Sequence, residues 1–431
     1  MENKDIKNLK EVCRTIPRVY TTKQVTTMGL LINVKGLVET GAWYIKRDDD
    51  NEIEIAPTVM MPAYMTPVWL DPEKELSKNF VFRLPNAITR EWLISIVDIS
   101  AEIEKEVVEK YSLPWGQTVF ANEKNIGIFE ELEKRKDVSY IPGGSIQNSL
   151  RVCSWCLKMC KTPKTKKKIT MLGCTGDDSY RKKIIDALEE SGVTPLLQIN
   201  KEASTSRCAC GINQKERCLV PQIKASNLLS KDFVDENIKE ILSHEAIIIE
   251  GYFLVEQFEI CKNLVKSFKE AKKPVIFTLS AVFLLENHLD KMIEIANDSD
   301  IIFCNMEEAE ALAGKKAENY SETIANAYRK LSPMDRMLIV TCGSRGVFSS
   351  KFNYEEDRLE FVLQGFPTFI KTSEIVDTNG AGDAFLGGYI SQWMRGKSVN
   401  VCSKAGNSAS GVILKNIGCT FPKDLILDFG D

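Results

Sequence analysis

Two rhythms of apolar and polar positions alternate along the chain from Lys168 onward. "KKITMLGC" is a β-branched run of strand length. "DSYRKKIIDALEES" repeats its apolar residues every three or four positions, as one face of a helix requires. "EAIIIEGYF", "KPVIFTLS", "SDIIFCN" and "RMLIVTCG" read as buried strands, and "VEQFEICKNLVKSFKEA" reads as a second amphipathic helix. Strands alternating with helices predict a mainly parallel sheet covered on both faces. Residues 204–227 break this rhythm with two short alternating runs around a polar turn. They predict a hairpin inserted into the α/β core, part of a lid.

The first 90 or so residues follow neither rhythm. They hold a Thr-rich patch, an acidic triplet at Asp48, Asp49 and Asp50, and the Pro- and Met-rich stretch "APTVMMPAYMTPVW". Residues 1–92 are read as an extension without an assigned role. The basic run 161–168, "KTPKTKKK", lies between a helix and a strand and is read as a solvated connection.

Composition narrows the function classes. A chain of 431 residues with 44% hydrophobic and 27% charged residues is that of a globular protein. Its net charge of -4 exerts no pull on nucleic acid or anionic membrane, so neither is an expected partner. The opening "MENKDIKNLKEVCR" lacks the apolar segment of a secretory signal, and no run of about 18 apolar residues occurs, so the expected location is cytoplasmic. Thirteen cysteines, an odd number, fit reduced thiols better than a disulfide framework. In "CSWCLKMC", Cys153, Cys156 and Cys160 have the spacing of a metal site or redox pair, but also that of one buried helix face, and burial is the preferred reading. Cys208, Cys210 and Cys218 alternate as in a strand and are read the same way. With only His244 and His288 available, histidine triads and histidine-ligated metals are hard to build.

The strongest chemical signal lies in 375–396, "IVDTNGAGDAFLGGYISQWMRG". Glycines before a helix let successive N–H groups converge on one point, where the positive end of the helix dipole adds to their attraction for an anion. A carboxylate beside such an anion pocket makes sense if Asp383 takes a proton from a hydroxyl that then attacks a phosphoryl group held by Gly380, Ala381 and Gly382. Aspartate is also a common helix-start residue, and "GAGD" alone fits both readings.

"DTNGAGDAFLGG" resembles the carboxy-terminal signature of the ribokinase-like (PfkB) kinases, in the form carried by adenosine kinases, and "PGGSIQNS" at 142–149 resembles their Gly-Gly element. "GCTGDD", "RCLV", "EGYFL", "NMEEAEAL", "TCGSRG" and "IGCTFP" follow in the order of that family, so the resemblance covers roughly 95–422. It implies a three-layer α/β/α core with a mainly parallel sheet and a small β lid. The kinase domain would span 93–425, with lid segments near 97–120 and 204–227. The implied reaction is ATP-dependent phosphorylation of the 5′-hydroxyl of adenosine to AMP, a purine-salvage step, with Mg2+ as cofactor, in a monomeric protein. A kinase for another nucleoside or a sugar, or a nucleoside-binding protein with little catalysis, are the alternatives.

The resemblance also assigns roles. Asp383 would be the general base, Gly380, Ala381 and Gly382 the anion hole, and Arg217 a lid cation over the phosphates. Asp98, Gly144, Ser145 and Asn148 would bind the ribose, and Phe253 and Phe283 would sandwich the purine. Asn305, Thr341, Gly343, Gly346 and Asn407 would contact ATP, with Glu308 helping to place magnesium through water. Three stretches depart from the family's pattern: "LISIV" at 93–97 replaces Gly-Asn-Pro, Asn407 stands where histidine is common, and Thr205-Ser206-Arg207 replaces Thr-Gly-Thr.

Overall fold

Apolar side chains on both sides of a short extended run leave a strand no stable place except the middle of a covered sheet. Ala246–Glu250 is such a run, and every one of its residues is buried. The computed structural model describes residues 30–32, 43–47, 53–57, 89–92, 96–113, 119–160, 167–213, 216–365, 370–422 and 424–425. The chain divides into Met1–Asn79 and Phe80–Asp431. In the first unit, β1 (Leu30–Ile32), β2 (Trp43–Arg47) and β3 (Ile53–Pro57) pair antiparallel in chain order.

The second unit is built on a nine-stranded sheet. Its strands are β4 (Thr89–Trp92), β7 (Thr170–Gly176), β8 (Thr194–Asn200), β11 (Ala246–Glu250), β12 (Val275–Thr278), β13 (Ile301–Asn305), β14 (Met337–Thr341), β15 (Val347–Asn353) and β16 (Arg358–Gly365). They lie in the order β16-β15-β14-β13-β12-β11-β4-β7-β8. Pairing is parallel from β8 to β14, and the last two strands turn back antiparallel.

Helices cover the sheet: α1 (Ser145–Met159), α2 (Ser179–Ser191), α3 (Gly251–Glu256), α4 (Phe258–Glu270), α5 (Val282–Asn297), α6 (Met306–Ala313), α7 (Ala381–Trp393) and α8 (Val399–Ile413). Ile248, Ile276 and Ile339 join Leu150, Tyr389 and Ile390 in one core cluster. Ile247, Ile249 and Phe277, equally buried, alternate with them and point to the opposite face. Glycines set the closest helix contact. A Cβ on Gly387 would lie 2.4 Å from the Ser149 carbonyl oxygen of α1, and one on Gly388 would lie 2.5 Å from that of Ala405 on α8.

The lid is a separate four-stranded sheet of β5 (Ile96–Glu102), β6 (Ser139–Gly143), β9 (Ser206–Asn213) and β10 (Glu216–Gln222), in the order β10-β9-β5-β6. Ile99, Ala101, Ala209 and Val220 face a small core completed by Phe129 and Leu132. Asp98, Cys208 and Cys210 alternate with them and face the other way. The predicted hairpin is β9–β10, with Arg217 paired to Ile212.

Two expectations are corrected here. The extension ends earlier than residue 92, because Thr89–Trp92 forms β4 in the middle of the core sheet, between β11 and β7. "EAIIIEGYF" is not strand throughout: β11 ends at Glu250, and helix α3 begins at Gly251. A Cβ on Gly251 would lie 2.5 Å from the Leu279 carbonyl oxygen, so the chain turns where only glycine fits. The lid strand β6, with Pro142 inside it, was not anticipated by the reading of 97–120 and 204–227 as lid segments. Every cysteine among the described residues is buried, as expected. Among those residues no helix is long and apolar enough to cross a membrane.

Candidate active site

Parallel α/β sheets place their loops and helix starts at the carboxyl ends of the strands, where ligands bind. Four such ends supply the site: Glu250 on β11, Asn305 on β13, Thr341 on β14, and the loop that leads into α7. Asn305 and Thr341 are directly paired neighbours.

Asp383 sits in the first turn of α7, whose N-cap Gly380 has φ 78°. A left-handed residue there turns the chain sharply into the helix, and the N–H groups of Ala381 and Gly382 are among the first four, which have no partner within the helix; that of Ala381 makes a long bond of 3.4 Å to the Thr378 carbonyl in the preceding turn. The loop before it is pinned by Asp377, which accepts from the Asn379 N–H at 3.0 Å and from the Gly418 N–H at 2.7 Å. Asp377 is buried, and sequence reasoning passed over it although it opens "DTNGAGD".

The α1 helix begins beside this turn. Gly144 is its N-cap with φ 92°, and the first turn presents two donors to one carboxylate. Ser145 Oγ donates to Asp383 Oδ1 at 2.7 Å, and Asn148 Nδ2 donates to Asp383 Oδ2 at 2.9 Å. The side-chain Oδ1 of Asn148 is buried and has no hydrogen-bond partner. Burial is the largest influence on Asp383 and pushes its carboxyl above the ordinary aspartate range, while the bonds from Asn148 and then Ser145 hold it back. Ser145 and Asn148, read as ribose ligands, thus also fix the proposed base.

Glu250 is a second acid at this point, and it was missed. It is buried, its Oε2 has no hydrogen-bond partner, and burial followed by the charge of Asp383 pushes its carboxyl well above the usual range. The signal was present as a lone acid ending the apolar run "AIII".

On the lid, Asp98 pairs with Ile141 of β6 and Cys208 of β9. A Cβ on Gly143 would lie 2.1 Å from Asp98 Oδ1, so the Gly-Gly element makes room for this carboxylate. Gln147 binds lid and helix together by donating to the carbonyls of Gly143 at 2.9 Å and Ile96 at 3.4 Å. Arg217 has its place on β10, but its side chain lies outside the described residues, as do residues 93–95 of the departing stretch "LISIV".

The aromatic pair differs from expectation. Phe253 is fully buried and is withdrawn from a stacking role. Its neighbour Tyr252 meets Phe283 instead, with ring centroids 6.0 Å apart and planes tilted by 46°, and Phe283 is 42% exposed. Phe253 was assigned by resemblance; in the six-residue helix beginning at Gly251, adjacent residues point in different directions, so Phe253 packs inward while Tyr252 reaches Phe283.

Asn305 and Glu308 form a capping box at α6. Asn305 Oδ1 accepts from the Glu308 N–H at 2.8 Å. The Asn305 N–H and Nδ2 donate to the two oxygens of Glu308 at 3.0 and 2.8 Å. Burial pushes Glu308 up to about 7, against the opposing bond from the Asn305 N–H. Such a carboxyl, already accepting two bonds, fits contact with a hydrated magnesium ion through water better than direct ligation.

Glu308→Gln is expected to keep this cap and remove a pH-dependent penalty. The folded state favours neutral Glu308, so its ionisation costs nothing below the unfolded value near 4.5, and the cost grows until about pH 7. The wild type should lose about 3 kcal/mol relative to the variant between those limits. Denaturant unfolding of both proteins at pH 4.5 and pH 7.5 measures it, and an equal difference at the two pH values contradicts the assignment.

Next to Thr341 the chain enters a short 3-10 turn, Gly343–Arg345, with φ 56° at Gly343 and 93° at Gly346. The Cys342 N–H donates to the Gly346 carbonyl at 2.8 Å and closes the loop. Asn407 lies on α8, which packs along α7.

Comparison with known proteins agrees with this arrangement. The profile of the pfkB family of carbohydrate kinases matches residues 115–425. The chain is 32% identical to the adenosine kinase of Dictyostelium discoideum over 334 residues, which cover 76% of this chain and 94% of that protein. A solved structure of Trypanosoma brucei brucei adenosine kinase matches with a TM-score of 0.69 and 26% identity, over 77% of this chain and 100% of that one. Anopheles gambiae adenosine kinase in complex with P1,P4-di(adenosine-5) tetraphosphate matches with a TM-score of 0.67 and 28% identity, over 79% and 99%. The chain belongs to the pfkB family of carbohydrate kinases.

Proposed function

We infer that this chain is an adenosine kinase, which transfers the γ-phosphoryl group of ATP to the 5′-hydroxyl of adenosine and releases AMP and ADP. The observation that carries the reading is Asp383, held at the mouth of α7 by Ser145 and Asn148. Similarity to adenosine kinases over three quarters of the chain supports the choice of acceptor.

Asp383 accepts the proton of the 5′-hydroxyl as its oxygen attacks the γ-phosphorus, and the bond to the β-phosphate bridging oxygen breaks. The raised affinity of Asp383 for a proton suits this task. The N–H groups of Gly380, Ala381 and Gly382 hold the charge that spreads over the transferring group. Burial favours the neutral form of Glu250, which lessens its repulsion of a charge on Asp383. Asp98 accepts from the vicinal ribose hydroxyls, and Gly144 lets the sugar approach. The unpartnered Oδ1 of Asn148 is available to a hydroxyl donor. Arg217 of β10 would supply the lid's cation for the phosphates. Thr341, Gly343, Gly346 and Asn407 line the ATP side.

Magnesium, when bound, neutralises phosphate charge, and Asn305 and Glu308 would orient its water shell. The working unit is read as a monomer in the cytoplasm, acting in purine salvage. Reduced cysteines support that location.

An acceptor panel with Mg-ATP tests the substrate. Adenosine should be turned over far better than inosine, ribose or fructose, and equal turnover of ribose or fructose removes the nucleoside assignment. Phe283→Ala should raise KM for adenosine roughly tenfold, because stacking on a base contributes about 1–3 kcal/mol. The same variant should leave KM for ATP unchanged. An unaltered adenosine KM takes Phe283 out of the purine site.

A further inference from the structure

Residues two apart on a strand share a face, and Cys208 and Cys210 share the face of β9 that carries Asp98 on the neighbouring β5. Asp98 is directly opposite Cys208. The two Sγ atoms are 3.8 Å apart, and an Asp98 carboxylate oxygen lies within 4.8 Å of both. Two thiolates each about 2.3 Å from a tetrahedral ion stand about 3.8 Å from one another, so the sulfurs already have the spacing of a coordinated pair. Among the described residues no other three His, Cys, Asp or Glu side chains converge in this way, including the trio in "CSWCLKMC".

The donor set decides the ion. Two sulfurs and one carboxylate suit a soft or borderline divalent cation and not magnesium, which takes oxygen ligands. Ile96, Leu219 and Ile223 pack around the thiols and limit water there. Three protein ligands leave a fourth position for water. We propose that Cys208, Cys210 and Asp98 form a site for a zinc-like divalent cation on the nucleoside face of the lid, and that filling it excludes adenosine from Asp98. Each thiol releases its proton to solvent on coordination, and nothing is oxidised or reduced. The exclusion rests on the ribose role of Asp98 given above; the metal site itself does not.

Cadmium is the probe, because its thiolate complexes absorb in the ultraviolet. Titrating the reduced full-length protein should give one equivalent of a thiolate-to-cadmium charge-transfer band. Cys208→Ser and Cys210→Ser should each weaken binding roughly 100-fold or more, since even outer-shell partners of a metal cost 10- to 100-fold. Asp98→Asn should weaken binding while keeping the band, and Cys261→Ala, on α4, should change neither. Saturating adenosine should displace the cadmium. No band, or an unchanged band in the Cys208→Ser/Cys210→Ser double variant, overturns the site. Cadmium held by these thiols and not displaced while adenosine is phosphorylated normally overturns the exclusion. A protein that binds cadmium here but, assayed free of cadmium, phosphorylates no nucleoside keeps the metal site and refutes the kinase reading instead.

Discussion

Asp383→Asn is expected to lower kcat with adenosine by roughly 10³-fold, the usual contribution of a positioned general base. The substitution keeps the shape of the side chain and removes its capacity to take a proton. Ser145 still has an oxygen to donate to, while on the other side an amide NH2 now faces the Asn148 donor. One mismatched hydrogen bond costs about 1–3 kcal/mol of stability at a buried site. The fold should therefore survive, with a lowered Tm and a nearly unchanged KM for ATP. Rates of the variant and wild type compared below their melting transitions check this, and a variant within tenfold of wild type removes Asp383 as the base.

Gly382→Leu should abolish activity by a different route. Gly382 is exposed, in the first turn of α7, and nothing lies within 4 Å of a Cβ placed there. The helix itself gains from the exchange, because leucine is a better helix former than glycine by roughly 0.5–1 kcal/mol. Helical Cβ atoms tilt toward the helix N-terminus, so the new side chain leans over the amides that would hold phosphate. The expected result is a Tm equal to or above that of wild type, with kcat/KM for ATP reduced roughly 100-fold or more, on the scale of losing an anion-hole donor. Gly380→Ala offers the contrast. Its φ of 78° and a Cβ 3.1 Å from that of Cys419 predict a loss of stability of about 1–2 kcal/mol along with activity. Normal ATP kinetics in a stably folded Gly382→Leu protein would mean that phosphate binds elsewhere.

The regular part of the fold was legible because burial on both faces writes long apolar runs into the sequence. Runs such as "AIII" and "MLIV" became β11 and β14 without difficulty. The four-residue β4 was hidden for the opposite reason: "TREW" is short and mostly polar, and its place in the sheet comes from its neighbours β11 and β7. At the site, the glycine turn and its acid were readable as chemistry only together with the other motifs that follow in order, since "GAGD" alone also fits an ordinary helix start. What periodicity could not give was partnership between distant segments. Asp383 meets Ser145 and Asn148 across more than 230 residues, and Glu250 joins them from a third element. Phe253 was given to the purine by resemblance alone, and the helix that starts at Gly251 buries it and brings Tyr252 to Phe283.

A crystal structure of the chain with adenosine and a non-hydrolysable ATP analogue tests the central claim most directly. The account predicts the 5′-oxygen of the nucleoside within about 2.6–3.2 Å of a carboxylate oxygen of Asp383. It also predicts the γ-phosphate against the N–H groups of Gly380, Ala381 and Gly382. A nucleoside whose 5′-oxygen points away from Asp383, or a γ-phosphate bound at some other helix start, would contradict it.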